Sequence, residues 1–154
     1  MVRYFAYGSN LLGERMRERG AEYFSARPAV LRDYRLTFDK PARDGTARAN
    51  VRRAIGARVH GVLYELARGG LEALQLFQAG YELADVLVEC TRVDGGVEVL
   101  TARTFMARAE RPAAAPPAPS YVSTILEGVR QHGLPEPARD DVLRAAHKKE
   151  KKDP

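Results

Sequence analysis

The residues with the clearest chemical potential stand at the start of the chain, where Tyr4-Phe5-Ala6-Tyr7 runs into Gly8-Ser9-Asn10-Leu11. A glycine at the end of a strand lets the backbone come close to a ligand, and the N–H groups that open a following helix suit a carboxylate or an oxyanion. Read alone, the same residues also fit an ordinary turn capped by Ser9 or Asn10. Other reactive types are scattered. His60 lies inside the run VHGVLYEL and reads as a core or pocket-wall histidine, whereas His132, beside a Gly-Leu-Pro turn, reads as a surface residue. Cys90 is the single cysteine; it shares an alternating face with Val86 and Val88 and has no cationic neighbour by spacing, so it reads as buried and apolar, not nucleophilic.

The elements that must position these groups follow from periodicity. Val2 to Tyr7 reads as a buried strand, and Leu11, Leu12, Met16 and Arg19 fall on near-helical spacing after the turn. Two short strands, Ala29-Val30-Leu31 and Tyr34 to Phe38, are expected around a turn at Arg32-Asp33, followed by a polar loop over residues 39–47. Ala49 to Val51 and Arg58 to Leu66 are further strands, with Gly61 marking a bulge or a close backbone approach. Leu71, Leu74 and Phe77 define one face of a short helix. Tyr81 to Arg92 is a long strand with Glu82, Ala84, Val86, Val88 and Cys90 on one face, joined through Asp94-Gly95-Gly96 to a hairpin partner, Val97 to Ala107. A helix capped by Ser120 runs to Arg130, and one or two helical turns follow between Asp140 and His147. Six or seven strands with two or three helices and no regular alternation predict an α+β fold, a small mixed β-barrel with helices packed around it.

Composition narrows the function. The 154 residues are 45% hydrophobic and 29% charged, which fits one domain, residues 1–146, with a basic tail at 147–154. One cysteine and no His/Cys cluster exclude an internal disulfide framework and a structural zinc module, and make a reducing, cytoplasmic setting the default. No apolar run is long enough to span a membrane, so no membrane partner is expected. The formal net charge of +5 shrinks on inspection, because the tail supplies +2 of it through four lysines set against Glu150 and Asp153. The other basic stretch, Arg43, Arg48, Arg52, Arg53 and Arg58, has no neighbouring aromatics for base stacking and reads as a solvated loop-and-strand face; nucleic acid is not an expected partner.

The stretch YFAYGSNLLGER resembles the opening strand and turn of the γ-glutamylcyclotransferase family, and Tyr4 to Leu11 match it without a gap. Further segments are similar to the family in its own order: Ala49-Asn50-Val51 with Val59 to Leu66 as a central strand pair, Leu71 to Tyr81 as its LDxFEG…Y segment, and Pro116 to Tyr121 with Gly128 and His132-Gly133-Leu134-Pro135 as its closing loop, helix and GLP turn. Residues 2–136 are covered. The resemblance implies a small α+β barrel that converts a γ-glutamyl amino acid or amine into 5-oxoproline and the free amine, without a metal or cofactor. The α-amine of the substrate attacks its own γ-carbonyl, which requires a pocket that folds the glutamyl chain back on itself and a group that moves protons. By the resemblance, Tyr4, Phe5, Ala6, Tyr7, Gly8, Ser9, Asn10 and Leu11 cradle the glutamyl group and the hydroxyl of Tyr121 closes the pocket. A small-molecule γ-glutamyl substrate or product is the implied partner, and a homodimer is allowed.

One departure bears directly on the chemistry. The family's proton shuttle is the Glu of LDxFEG, and the corresponding residues here are Leu74-Gln75-Leu76-Phe77-Gln78-Ala79. The shuttle position is Gln78. A carboxamide keeps the shape and hydrogen bonds of a carboxylate but neither takes nor gives a proton near neutral pH. Three readings are open: a natural divergent protein that binds a glutamyl-like ligand without turnover, a substitute carboxylate for which Glu82 is the candidate, or an engineered Gln78, which leaves Gln75 and Ala79 unexplained.

Overall fold

The computed structural model describes residues 2–108 and 112–147. In β1 (Val2–Ala6) the consecutive residues Tyr4, Phe5 and Ala6 are all buried, which requires cover on both faces of the strand. β1 lies antiparallel to the last residues of β3 (Ala47–Leu66), with Val2 opposite Leu66 and Ala6 opposite Val62. β3 pairs with β2 (Tyr23–Pro41), β2 also pairs through Ala29, Val30 and Leu31 with β4 (Tyr81–Thr91), and β4 pairs with β5 (Val97–Ala107) over its full length. The order β1-β3-β2-β4-β5 closes on itself through one parallel pairing, Tyr4 with Arg103. Helices α1 (Gly13–Glu18), α2 (Gly70–Gln75), α3 (Pro119–Gln131) and α4 (Glu136–His147) flank the sheet. This is the expected α+β class. None of these helices is long and apolar enough to cross a membrane.

Several elements differ from the sequence reading. The two short strands around Asp33 are one strand, because Asp33 adopts a left-handed conformation (φ 65°) inside a continuous ladder instead of turning the chain back. The pairing steps from Arg32–Arg58 to Tyr34–Arg53, so residues 54–57 bulge opposite Asp33, and Asp33 Oδ1 accepts the N–H of Gly56 at 3.0 Å. The strand pair Ala49–Val51 and Arg58–Leu66 merges in the same way, which leaves five strands among the described residues. Strand also replaces the predicted loop up to Pro41.

The helices are corrected too. Neither Ser9 nor Asn10 caps a helix: Ser9–Leu11 form a 3₁₀ turn, α1 starts after Leu12, and neither start has a side-chain cap. Pro119 occupies the first turn of α3 with Ala118 at the cap position, so Ser120 is not the cap. Leu71 and Leu74 are buried as expected, but Phe77 is 52% exposed beneath the guanidinium of Arg19, 5.1 Å from its ring centre. His132 is not a free surface residue, since its Nε2 lies 2.8 Å from the carbonyl of Leu11 and 3.3 Å from Tyr64 Oη. His147, assigned to the tail, ends α4, and the rest of the tail lies outside the described residues.

Gly61 is a point of close approach, paired regularly with Ala29 and not bulged. A Cβ there would sit 2.3 Å from the carbonyl oxygen of Ala6 and 2.6 Å from the Phe5 ring. Both obstacles belong to β1 and its covered face, so neither can move away cheaply. Gly61→Ala is therefore expected to destabilise the protein by about 1–3 kcal/mol, read as a lower urea midpoint at unchanged m value.

Candidate functional site

A cavity of ≈ 40 Å³ opens where the 3₁₀ turn after β1 meets the start of β4. The turn contributes Gly8, Ser9 and Asn10, and β1 with the residue after it contributes Tyr4 and Tyr7. Gln78 and Tyr81 enter from the segment after α2, Tyr121 from α3, and Ala49 and Phe105 from β3 and β5. Gly8 is small for a reason visible here: a Cβ would approach Ala49 Cβ to 3.2 Å and the Tyr121 hydroxyl to 3.4 Å. The first N–H groups of the turn have no partner within it, since the first bond runs from Leu11 N–H to the Gly8 carbonyl at 2.9 Å.

Phenol hydroxyls dominate the walls. Tyr7 donates to the carbonyl of Phe105, and Tyr81 donates to the carbonyl of Ala49 at 2.7 Å. Tyr121 and Tyr4 act as acceptors, the first from the Ala49 N–H at 3.0 Å and the second from Asn10 Nδ2 at 2.9 Å. The protons of these two phenols have no acceptor among the described residues, so both can donate to a ligand oxygen. Asn10 is itself oriented by Arg19, whose Nη1 donates to Asn10 Oδ1 at 2.9 Å. Burial pushes the Tyr4 hydroxyl up to about 12 and raises those of Tyr7, Tyr81 and Tyr121 as well. All four are neutral at physiological pH.

The surroundings are cationic. Arg48 stacks over Tyr121 with Cζ 4.5 Å from the ring centre, and Lys40 Nζ lies 5.4 Å from that of Tyr81. Burial, followed by repulsion from like charges, lowers the pKa of Arg19 and of Lys40, so a bound anion is favoured beside them. The nearby carboxylate, Asp39, is already engaged by Asn50 Nδ2 at 3.0 Å and by Arg52. Among the described residues, no carboxylate lines the cavity. The described walls can thus hold an anionic, hydrogen-bonding ligand, and none of the described lining residues exchanges a proton near neutral pH.

Of the residues singled out in the sequence, Tyr4, Tyr7, Gly8, Ser9, Asn10, Gln78 and Tyr121 meet in this one cavity. Phe5, Ala6 and Leu11 do not line it; they are buried in the core behind it, and Leu11 offers its carbonyl to Tyr64 at 2.8 Å. Glu82 is a correction: its side chain is 72% exposed, 4.0 Å from Arg108 Nε, and absent from the cavity wall. The basic stretch from Arg43 is corrected in part, because Arg48 and Arg53 do have aromatic partners, Tyr121 and Tyr34, brought from other elements. Ala49, Tyr81 and Phe105 are lining residues that sequence reasoning missed. Tyr81, three residues after Gln78 at the start of a strand, carried the only local signal.

A family model described as γ-glutamyl cyclotransferase, AIG2-like, matches residues 4–122. The γ-glutamylcyclotransferase of Bos taurus is 31% identical over 140 residues, which span 86% of this chain and 72% of that relative. Among solved structures, a γ-glutamyl cyclotransferase superposes with a TM-score of 0.76 at 28% identity, covering 97% of this chain and 89% of the other. YkqA from Bacillus subtilis superposes with a TM-score of 0.78 at 25% identity, over 96% of this chain and 54% of that one.

The neutral phenols set an alkaline limit. A tyrosine whose folded pKa exceeds its unfolded value of about 10 contributes stability in full below pH 10, and that stability is lost as pH rises toward the folded value. The unfolding free energy is expected to be level from pH 7 to 9 and to fall between pH 10 and about 12, the range set by Tyr4. Tyrosinate absorbance from these buried phenols should appear together with loss of the far-ultraviolet circular dichroism signal. Their titration in a still-folded protein would contradict the hydrogen-bonded, buried arrangement.

Proposed function

Because the chain belongs to the γ-glutamyl cyclotransferase, AIG2-like family, we propose that its cavity receives a γ-glutamyl compound and holds it folded for attack of its α-amine on its γ-carbonyl. The observation that supports this most is the meeting of the Gly8-Ser9-Asn10 turn, Tyr121 and Gln78 around one small cavity. In this reading the free N–H groups of the turn and the uncommitted phenol protons of Tyr4 and Tyr121 take the ligand's carboxylate and carbonyl oxygens. Arg19 and Arg48 supply the favourable field. Attack forms the ring C–N bond, the original amide C–N bond breaks, and 5-oxoproline and an amine result. The α-ammonium must shed its proton before attack and the departing nitrogen must gain one. Most of the gain from folding the chain back is entropic and requires no ionisable side chain.

Gln78 lines this cavity, and in this reading it stands where a carboxylate would carry that proton. It can accept a hydrogen bond from the attacking amine through its carbonyl, but proton removal then falls to water. The expected turnover is lower by about 10²–10⁴ than with a carboxylate at the same position. The same residue also favours a second reading, a binding protein for γ-glutamyl or 5-oxoproline ligands without turnover. The expected setting is the cytoplasm, where Cys90, a buried free thiol, stays reduced.

Release of 5-oxoproline from γ-glutamyl-alanine, γ-glutamyl-lysine and glutathione, compared between the protein and its Gln78→Glu variant, tests both readings. Turnover at least about 100-fold faster in the variant supports the cyclotransferase site. Calorimetric binding of 5-oxoproline without turnover by either protein supports the binding reading. Neither binding nor turnover in both proteins would overturn the assignment of this cavity.

A further inference from the structure

A second and much larger concavity lies elsewhere on the molecule. It is a groove of ≈ 970 Å³ between the bulged arm of β2 and β3 and the outer helix α4, and it shares no lining residue with the first cavity. Its size falls within the range typical of small-molecule sites, about 300–1,000 Å³. Part of the wall is apolar: Leu36 and Phe38 from β2, Ala57 from the bulge, Pro137 and Ala145 from α4. The remainder is polar, and its charges do not cancel.

Both acids on the wall are already paired, Asp141 with Arg144 at 3.2 Å and Asp39 with Arg52, which is not a lining residue. Arg35 and Arg58 also line the groove, and neither forms an ion pair among the described residues. Burial lowers the pKa of His60 on the same wall, which keeps its ring neutral at pH 7. Among the described residues, two guanidinium groups therefore stand without counter-charge beside an apolar strip. Thr37, from the same wall, has its Oγ1 buried without a hydrogen-bond partner, which leaves one further polar atom uncommitted.

We propose that this groove is a second ligand site, for a small amphipathic anion whose carboxylate or phosphate head lies against Arg35 and Arg58 and whose apolar body lies on Leu36, Phe38, Ala57, Pro137 and Ala145. Guanidinium groups match the planar oxygen pairs of either head. The apolar strip gives a hydrocarbon chain a surface to leave water for. The site owes nothing to the reading of the first cavity and stands or falls separately from it.

The test uses the full chain and four ten-carbon probes below their micelle concentrations: decanoate, decyl phosphate, decanol and decylammonium. Saturable one-to-one binding by calorimetry is expected for decanoate, decyl phosphate or both, which tells the two head groups apart, with decylammonium at least tenfold weaker. An Arg35→Gln, Arg58→Gln double variant should lose at least tenfold in affinity for the anions while its affinity for decanol stays within twofold. Ala145→Trp, which fills the groove and leaves its charges, should block all binding, and circular dichroism should confirm that both variants fold. Equal binding of anion and cation, an unaffected double variant, an unaffected Ala145→Trp variant, or no saturable binding of either anion would each overturn the proposal.

Discussion

The backbone of Ala49 is gripped by two tyrosines, its N–H by the oxygen of Tyr121 and its carbonyl by the hydroxyl of Tyr81. This follows from the sheet order. The first half of β3 has β2 on one side, while β1 reaches only residues 62–66 of the second half. Backbone groups on the open side, at Ala49 in β3 and at Ala107 in β5, must still be satisfied, and a buried group left without a partner costs about 1–3 kcal/mol. Tyrosines from α3 and β4 serve one residue. The next, Asn50, uses its own side chain to accept the N–H of Ala107 and to donate to that residue's carbonyl, both at 2.9 Å. The cavity is the space enclosed by the groups that close this gap in the ladder.

That origin explains the character of the site. Hydroxyls recruited to satisfy backbone groups are held in a water-poor place where ionisation is unfavourable, so they act as fixed dipoles and not as acids or bases. Positive charge arrives from outside the wall, through Arg19 on Asn10 and Arg48 above Tyr121. The described walls are therefore suited to a negative, hydrogen-bonding ligand, and under the proposed function the position that would move a proton is Gln78.

The glycine turn and the buried aromatic strand were legible in the sequence because their information is local: eight contiguous residues form both the strand and one side of the cavity. Gln78 and Tyr121 became legible only through resemblance, and Ala49, Tyr81 and Phe105 escaped because their roles depend on contacts between elements far apart in the chain. Asp33 shows a different limit. Its preference for turns was read correctly, but a left-handed residue can bulge a strand as well as reverse it, and the choice is made by the partner strand, which presents Gly56 N–H to the carboxylate. Glu82 shows a third. Alternation placed it on the face of Val86, Val88 and Cys90, yet that face is buried only from Val86 onward, and at the start of the strand Glu82 is exposed.

Gln78 sits in a turn held by main-chain bonds alone, its N–H on the Gln75 carbonyl at 3.1 Å and its own carbonyl under the Tyr81 N–H at 3.0 Å. Its side chain makes no hydrogen bond to any described residue, and the packing of the core does not depend on it. Gln and Glu codons differ by a single base. A lineage carrying this fold can therefore exchange amide for acid at this position in one mutational step, without giving up a side-chain hydrogen bond to any described residue.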